Sequence, residues 1–119
     1  MEQFSVTLPL TGEYLTTVRL TTGGLCALAG FDVDTTEDYK VCVTESLLIL
    51  KRNGFQTAQI CFEVGEMLSC IVRGENRAED QNGDALEEEI SRALLSALVG
   101  DVDFVKDENG KVIQISFAG

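Results

Sequence analysis

Residues 43–55 read VTESLLILKRNGF, and this stretch decides how the rest of the chain folds. Apolar side chains line most of the circumference of a helix drawn through it, so the sequence predicts a helix that is largely buried. Asn53 and Gly54 are residue types that end helices, and they mark its end. Glu45 lies inside the apolar run, where an unpaired carboxylate is costly, so it needs a hydrogen-bonding partner or a chemical role.

The start of this helix is marked by residues that cap helices. Thr35 or Thr36 can begin it. Glu37 and Asp38 then fall in the first turn, where negative charge suits the helix dipole.

Two elements precede the buried helix. Apolar and polar residues alternate from Phe4 to Leu8, which predicts a strand that ends at Pro9. A further helix then begins at Thr11 and ends at Gly30. Its expected inner side consists of Tyr14, Leu15, Val18, Thr22 and Leu25. Gly23-Gly24 within it indicates close packing or a bend, since each Gly weakens a helix by roughly 1 kcal/mol.

Two strands follow the buried helix. The segments AQICFEV (58–64) and MLSCIVR (67–73) flank Gly65-Glu66, a pair typical of a type II′ turn. This turn predicts a register in which Val64 lies opposite Met67 and Cys61 lies opposite Cys70. The side chains expected on the core face are Ile60, Phe62, Val64, Met67 and Ile71.

The last third of the chain predicts a helix and a hairpin. The helix runs from Asp84 to about Val99, and its expected inner side consists of Leu86, Ile90, Leu94 and Ala97. The hairpin pairs DVDFVK (101–106) with KVIQISF (111–117) around Asn109-Gly110, a signal for a type I′ turn. One face of it should hold Val102, Phe104, Ile113, Ile115 and Phe117.

The predicted order of elements is therefore β-α-α-β-β-α-β-β. It favours an α+β domain of two layers, with helices on one face of a mostly antiparallel sheet. The length of 119 residues and the apolar fraction of 45 % suit a single domain over residues 1–119. No apolar stretch reaches the roughly 18 residues that span a bilayer. No basic segment followed by an apolar run marks a secretory signal, so we expect a cytoplasmic protein.

Composition excludes several kinds of function. The chain has 20 acidic and 9 basic residues and a net charge of −11. Such a surface repels phosphate backbones, so we expect no nucleic-acid partner, whereas a basic protein surface would be attracted. His is absent, which excludes His acid–base chemistry and His metal ligands. The four Cys lie in apolar segments without a C-x-x-C pair, so we expect buried thiols.

Four features occur in order between residues 4 and 55: Arg19 in the first helix, Gly30-Phe31 at its end, Asp38-x-Lys40, and Thr44-Glu45. In this order they resemble the anti-sigma-factor serine kinase family, which shares an ATP-binding fold with histidine kinases and gyrase. The rest of the chain matches that family only in the order of its elements. The resemblance implies a histidine-kinase-like (GHKL) ATPase fold and a role in bacterial transcription regulation.

The resemblance gives Glu45 a possible catalytic role. In the family, this Glu acts on the water or hydroxyl that attacks the γ-phosphate, and an Asn one helical turn later binds Mg²⁺. Here Ile49 stands at the Asn position, and an aliphatic side chain cannot coordinate Mg²⁺. Glu45 is therefore either a relict catalytic base or a structural carboxylate held by Lys40, Arg73 or a backbone N–H.

Two further nucleotide-binding motifs of the family are lost. The D-x-G motif, whose Asp binds the adenine amino group, falls on Gly74 and Asn76. The Gly-rich lid, whose backbone N–H groups cradle phosphates, falls on Glu88, Glu89 and Ser91. Carboxylates at the lid would repel a triphosphate, so we expect a degenerate relative of the kinases without nucleotide or metal.

The former nucleotide cleft would lie between the second helix, residues 74–84 and the third helix. Because the lid is missing, we expect this cleft to be shallow or filled by Leu48 and Ile49. An open pocket beside Gly74 would argue against that expectation.

Three functions follow from these residues. The first is an anti-sigma-like regulatory protein that binds a protein partner, a sigma factor or an anti-sigma antagonist, without binding or using ATP. The second is an active serine kinase that uses Mg-ATP, and the third is a dimeric scaffold with an unrelated partner. Arg19 is the candidate partner-binding residue, because the family's first helix contributes to the sigma-factor interface. Its alternative is a surface Arg paired with Glu13 or Asp38.

The hydroxyl-rich run TTVRLTTGG (16–24) surrounds Arg19. It suits either a flat docking or dimer face, or a helix half-buried against the sheet.

Overall fold

The computed structural model describes residues 2–77 and 85–119 and has the predicted order of elements. It is an α+β arrangement of three helices and one five-stranded sheet. The elements are β1 (Glu2–Pro9), α1 (Gly12–Leu28), α2 (Val33–Arg52), β2 (Phe55–Val64), β3 (Leu68–Arg77), α3 (Ala85–Val99), β4 (Val102–Lys106) and β5 (Val112–Ala118).

The five strands lie in the order β1-β2-β3-β5-β4, and every neighbouring pair is antiparallel. α2 packs on β2, β3 and β5, while α1 and α3 each pack against α2. α2 is buried along most of its length, as predicted; its buried residues are Tyr39, Cys42, Val43, Ser46, Leu47, Ile49 and Leu50. The opposite face of the sheet carries the row Ser5, Cys61, Ile71, Ser116 and Asp103, whose side chains are exposed or half-buried.

α1 ends as its sequence predicts. Gly30 has a φ of +79°, and its N–H donates to Ala27 O over 3.1 Å. The N–H of Phe31 donates to Cys26 O over 3.0 Å, which completes a Schellman motif. Gly23 allows close packing of α1 on α2, because a Cβ there would lie 2.8 Å from Lys40 Cε.

The inner side of α1 differs from the prediction at one end. Val18, Thr22 and Leu25 are buried as expected, but Tyr14 is exposed and Cys26 is buried. The Thr11 side chain makes no capping hydrogen bond, and the Tyr14 N–H donates instead to the Thr11 carbonyl over 3.1 Å.

α2 begins earlier than Thr35 or Thr36. Asp32 is its N-cap, and its carboxylate accepts a hydrogen bond from the Thr35 N–H over 2.7 Å. Asp is at least as good an N-cap as Thr, and here it lies where the chain leaves α1. The predicted end is confirmed, because Asn53 is the C-cap and Gly54 has a φ of +92°.

The register of the β2–β3 hairpin was predicted wrongly by one residue. The turn spans three residues, 65–67, so Val64 lies opposite Leu68 and Phe62 lies opposite Cys70. Leu68, Cys70 and Val72 therefore face the core, whereas Met67 and Ile71 are exposed. A slip of one residue moves a whole strand's side chains to the other face, and β3 has apolar residues on both.

The last hairpin turns where predicted, but with a different geometry. Gly110 has a φ of +78°, whereas Asn109 has no positive φ, so the turn is not type I′. Asp107 shapes it, since its carboxylate accepts from the backbone N–H groups of Asn109 and Lys111. The register shifts beside Val105, so Val112 is buried where Ile113 was expected.

The inner side of α3 was also predicted wrongly. Leu86 and Ile90 are exposed by 61 % and 59 %, and Ser91 and Leu95 are buried instead. The helix is thus turned by about a third of a revolution from the predicted orientation. Its inner side is mixed, since Ser91 binds side chains of α2 while Leu95 and Leu98 pack on the core. The expected first residue, Asp84, lies outside the described residues.

All four Cys are free thiols, and Cys26, Cys42 and Cys70 are buried as predicted. Cys61 is half-buried and lies opposite Ile71, not opposite Cys70. Burial raises the pKa of the Cys42 thiol to about 12. Within the described part of the chain, no helix combines the length and the apolar character that crossing a membrane requires.

Candidate functional site

Glu45 is bound by a side chain of α3. Its Oε2 accepts a hydrogen bond from Ser91 Oγ over 2.8 Å, and Ser91 Oγ accepts one from Arg52 Nη2 over 2.6 Å. The hydroxyl therefore bridges a carboxylate and a guanidinium, and both bonds are charge-assisted. Ser91 is only 3 % exposed, so its hydroxyl is shielded from water, whereas Glu45 and Arg52 are half-buried.

Asn53, which follows Arg52 at the end of α2, forms a second set of contacts. Its amide donates to Val112 O over 3.1 Å and to Glu88 Oε1 over 3.4 Å. Glu88 also lies 3.8 Å from Arg92, whose guanidinium carbon is 5.2 Å from the centroid of the Phe104 ring. These contacts tie the end of α2 to α3 and to β5.

Helical spacing explains why these six side chains meet. We call them the α2–α3 polar cluster: Glu45, Arg52, Asn53, Glu88, Ser91 and Arg92. Glu45 and Arg52 are two turns apart on α2, while Glu88 lies three and four residues before Ser91 and Arg92 on α3, so each set shares one helix face. The Nε atoms of Arg52 and Arg92 are buried and have no hydrogen-bond partner among the residues that the structure describes.

The predicted partners of Glu45 are engaged elsewhere. Lys40 Nζ lies 3.2 Å from Glu37, one turn away on the surface of α2. Arg73 Nε donates to Gln114 Oε1 over 3.1 Å on the sheet. The structural partner of Glu45 is therefore Ser91 of α3, and not the predicted Lys40, Arg73 or backbone N–H. The sequence held one hint, because Ser91 lies one and two turns before Leu95 and Leu98 and so places a hydroxyl on an apolar face of α3.

Ile49, which the resemblance places where a Mg²⁺ ligand would be expected, is fully buried in the core. It therefore packs against other apolar side chains and offers no oxygen to a cation. Leu48 beside it is half-buried.

Gly74, which the resemblance places where an adenine-binding Asp would be expected, lies against the ring of Phe55. A Cβ at this position would be 2.4 Å from Phe55 Cγ, so no larger side chain fits without displacing the ring. Asn76 has a φ of +55°, and its amide donates to Thr57 Oγ1 over 3.1 Å. Both positions are thus used by the packing of β2 on β3.

An open groove of about 310 Å³ borders Gly74, and it argues against the expectation that the surface beside Gly74 is filled by side chains. The groove is lined by Phe55, Arg73, Gly74, Arg77, Ile113 and Gln114, all from strands and not from α2 or α3. Arg77 lies 4.5 Å from the Phe55 ring centroid and bonds Asp107 over 2.6 Å. The Arg77 hydrogen bond lowers the pKa of Asp107. The cleft expected between α2, residues 74–84 and α3 includes residues outside the described ranges, so its filling stays a prediction.

Arg19 is exposed on α1, and its side chain makes no hydrogen bond or ion pair within residues 2–77 and 85–119. The predicted pairing with Glu13 or Asp38 is therefore absent from this part of the chain. Leu20 beside it is 73 % exposed, and Leu28 two turns later is 75 % exposed. We call Arg19, Leu20 and Leu28 the α1 outer face.

The Thr residues around Arg19 are engaged by their own helix. Each hydroxyl of Thr16, Thr17, Thr21 and Thr22 donates to the carbonyl four residues earlier. Such bonds satisfy the hydroxyls locally. Only Thr22 is buried, so most of the run faces solvent or lies at the edge of the core.

Comparisons with known proteins add no relative, since no protein-family model matches the chain and no curated protein matches it significantly.

Within residues 2–77 and 85–119, no three His, Cys, Asp or Glu side chains are grouped to hold a metal ion. Glu89, the remaining lid position, is exposed on the outer side of α3.

Proposed function

We propose that this chain is a non-catalytic regulatory protein of the anti-sigma type, built on a degenerate histidine-kinase-like ATPase fold. It acts in the bacterial cytoplasm by binding a protein, a sigma factor or an anti-sigma antagonist, and does not bind ATP or phosphorylate its partner. The support is the family resemblance of residues 4–55 together with the contacts of the positions that would otherwise serve nucleotide chemistry.

The engagement of Glu45 is the observation that carries the proposal. A catalytic base must reach the hydroxyl that it deprotonates, in a site that substrate can enter. Glu45 instead accepts a bond from Ser91 Oγ, which Arg52 holds from the other side. With Ile49 buried one turn later, neither the base nor the metal ligand of a kinase is supplied by this face of α2.

The α1 outer face is where we place partner binding. Arg19 has no ion-pair partner among the described residues, so its guanidinium is available to a carboxylate of another protein. Leu20 and Leu28 add exposed apolar area on the same helix. Arg is among the residue types that most often carry binding energy at interfaces, so Arg19 is the residue on which we expect binding to depend most.

Purification of the complexes that form in cells tests this proposal. Tagged wild-type protein is expected to retain a transcription regulator, and Arg19→Glu is expected to lose it. Arg73→Glu is the matched control, because Arg73 is also exposed but lies on a strand of the sheet. Recovery of only a second copy of this chain would favour the dimeric scaffold instead. Equal retention by Arg19→Glu would remove the α1 outer face from the proposal.

A further inference from the structure

α3 presents an apolar stripe to solvent. Leu86, Ile90, Ala93 and Ala97 are all exposed, and their spacing of four, three and four residues places them on one face. We call these four residues the α3 stripe. Its N-terminal half carries two large side chains, and its C-terminal half carries two methyl groups.

The N-terminal half of α3 departs from what is usual for a surface helix, although Leu95 and Leu98 further along it do pack on the core. Such helices turn their apolar side to the core and their charged side to water. Here Glu88, Ser91 and Arg92 face α2 as members of the α2–α3 polar cluster, and the large side chains of the α3 stripe stay outside. Exposed apolar surface rimmed by polar residues marks sites of protein interaction.

The charges beside the α3 stripe are acidic. Glu87 and Glu89 are exposed and lie on opposite flanks of it, because each is one residue from Glu88 on the inner side. Arg92 is the only basic residue of α3, and it faces Glu88 and the Phe104 ring. The rim of the α3 stripe therefore carries carboxylates and no cation of α3.

We propose that the α3 stripe binds an amphipathic helix of a partner protein whose apolar side is flanked by Lys or Arg. This rests on the proposed function as a protein-binding regulator and specifies the chemistry of the partner. α3 is 15 residues long, about 22 Å, which matches four turns of a partner helix. Ala93 and Ala97 let a second helix approach closely, and basic residues on its two flanks meet Glu87 and Glu89.

A second copy of this chain is not the occupant. Each copy carries a net charge of −11, so two copies repel each other. An antiparallel pair of α3 helices would also place Glu87 and Glu89 towards Asp101 of the other copy, which repels them.

Titration with a designed peptide tests the proposal. The probe is a synthetic peptide of about 18 residues, five helical turns, with Leu along one side and Lys on both flanks. A scrambled peptide of the same composition is the control for non-specific charge attraction. We expect saturable binding of the amphipathic peptide alone, weakened roughly tenfold or more by Ile90→Ser. The pair Glu87→Gln and Glu89→Gln should weaken binding at low salt and flatten its salt dependence.

Leu20→Ser is the matched variant, because Leu20 is an equally accessible apolar residue on another helix. Peptide binding that survives Leu20→Ser and falls with Ile90→Ser supports the proposal. Equal binding of the scrambled peptide, insensitivity to Ile90→Ser, absence of binding, or a dimer that Ile90→Ser dissociates would each overturn it. Loss of peptide binding on Leu20→Ser alone would overturn it while leaving the proposed function intact, since that result places the partner on the α1 outer face.

Discussion

At the scale of single residues, the bridge from Glu45 through Ser91 to Arg52 joins the stability of the chain to its function. The same contact that holds α3 on α2 occupies the carboxylate that the family resemblance assigns to catalysis. A buried hydroxyl between two charged groups matters because its removal leaves both charges short of a partner. Glu45 therefore behaves as a structural residue whose removal should be felt in folding.

Ser91→Ala is expected to lower the free energy of unfolding by about 1–3 kcal/mol, because Glu45 and Arg52 each lose a hydrogen bond in a buried setting. Urea unfolding followed by circular dichroism measures it. Ser96→Ala, at an exposed position of the same helix, should change stability by less than about 0.5 kcal/mol. Equal stability of the two variants would mean that the bridge contributes nothing.

At the scale of elements, the number of residues in the β2–β3 turn decides which side chains of β3 face the core. The observed turn puts Leu68 in the core and leaves Met67 57 % exposed. A two-residue turn would exchange them, and it would bring Ile71 inward at the expense of Val72. Leu68 also pairs with Gly119 through two backbone hydrogen bonds of 3.0 Å, and its carbonyl accepts from the Tyr39 hydroxyl over 2.7 Å.

Substitution on either side of this turn distinguishes the two registers. Leu68→Ala should destabilise the protein by about 2–5 kcal/mol, because it opens a cavity under α2. Met67→Ala should cost less than about 0.5 kcal/mol, because the side chain is largely in water. Chemical denaturation of the two variants in parallel gives the comparison. The reverse ranking would indicate the register that the Gly65-Glu66 pair predicts.

The order of the elements was predictable because its signals are local. Gly30, Gly54 and Gly110 mark the ends of two helices and a hairpin turn, and each has the positive φ that glycine favours. The face that each element buries was harder to predict where both faces are apolar. β3 carries Ile71 beside Val72, so the apolar pattern alone cannot choose a register.

The orientation of α3 and the partner of Glu45 depend on each other, and local sequence patterns predict neither of them. The apolar pattern of α3 favours burial of Leu86 and Ile90, whereas the contacts of Ser91 with α2 require the opposite face inward. That choice depends on side chains 46 and 39 residues away in the sequence. A tertiary polar contact therefore overrode helical periodicity, and the candidate site was missed for the same reason.

At the scale of the whole molecule, internal contacts occupy one side of the protein, and two other surfaces remain exposed to solvent. The face of α2 that carries Glu45 and Ile49 is taken up by the α2–α3 polar cluster and the core. The α1 outer face and the α3 stripe instead leave large apolar side chains in water. On a chain with a net charge of −11, the α3 stripe suits a partner that brings positive charge, whereas Arg19 on the α1 outer face suits a carboxylate.

The central claim is that this chain regulates by binding protein and not by using ATP. Titration calorimetry of the purified protein with Mg-ATP tests it most directly, with an active anti-sigma kinase as the positive control for the same nucleotide solution. We predict no heat of binding, because Glu45 is engaged by Ser91 and the metal-ligand position is the buried Ile49. Saturable binding at micromolar concentration would contradict the claim and make Glu45 a candidate catalytic base again.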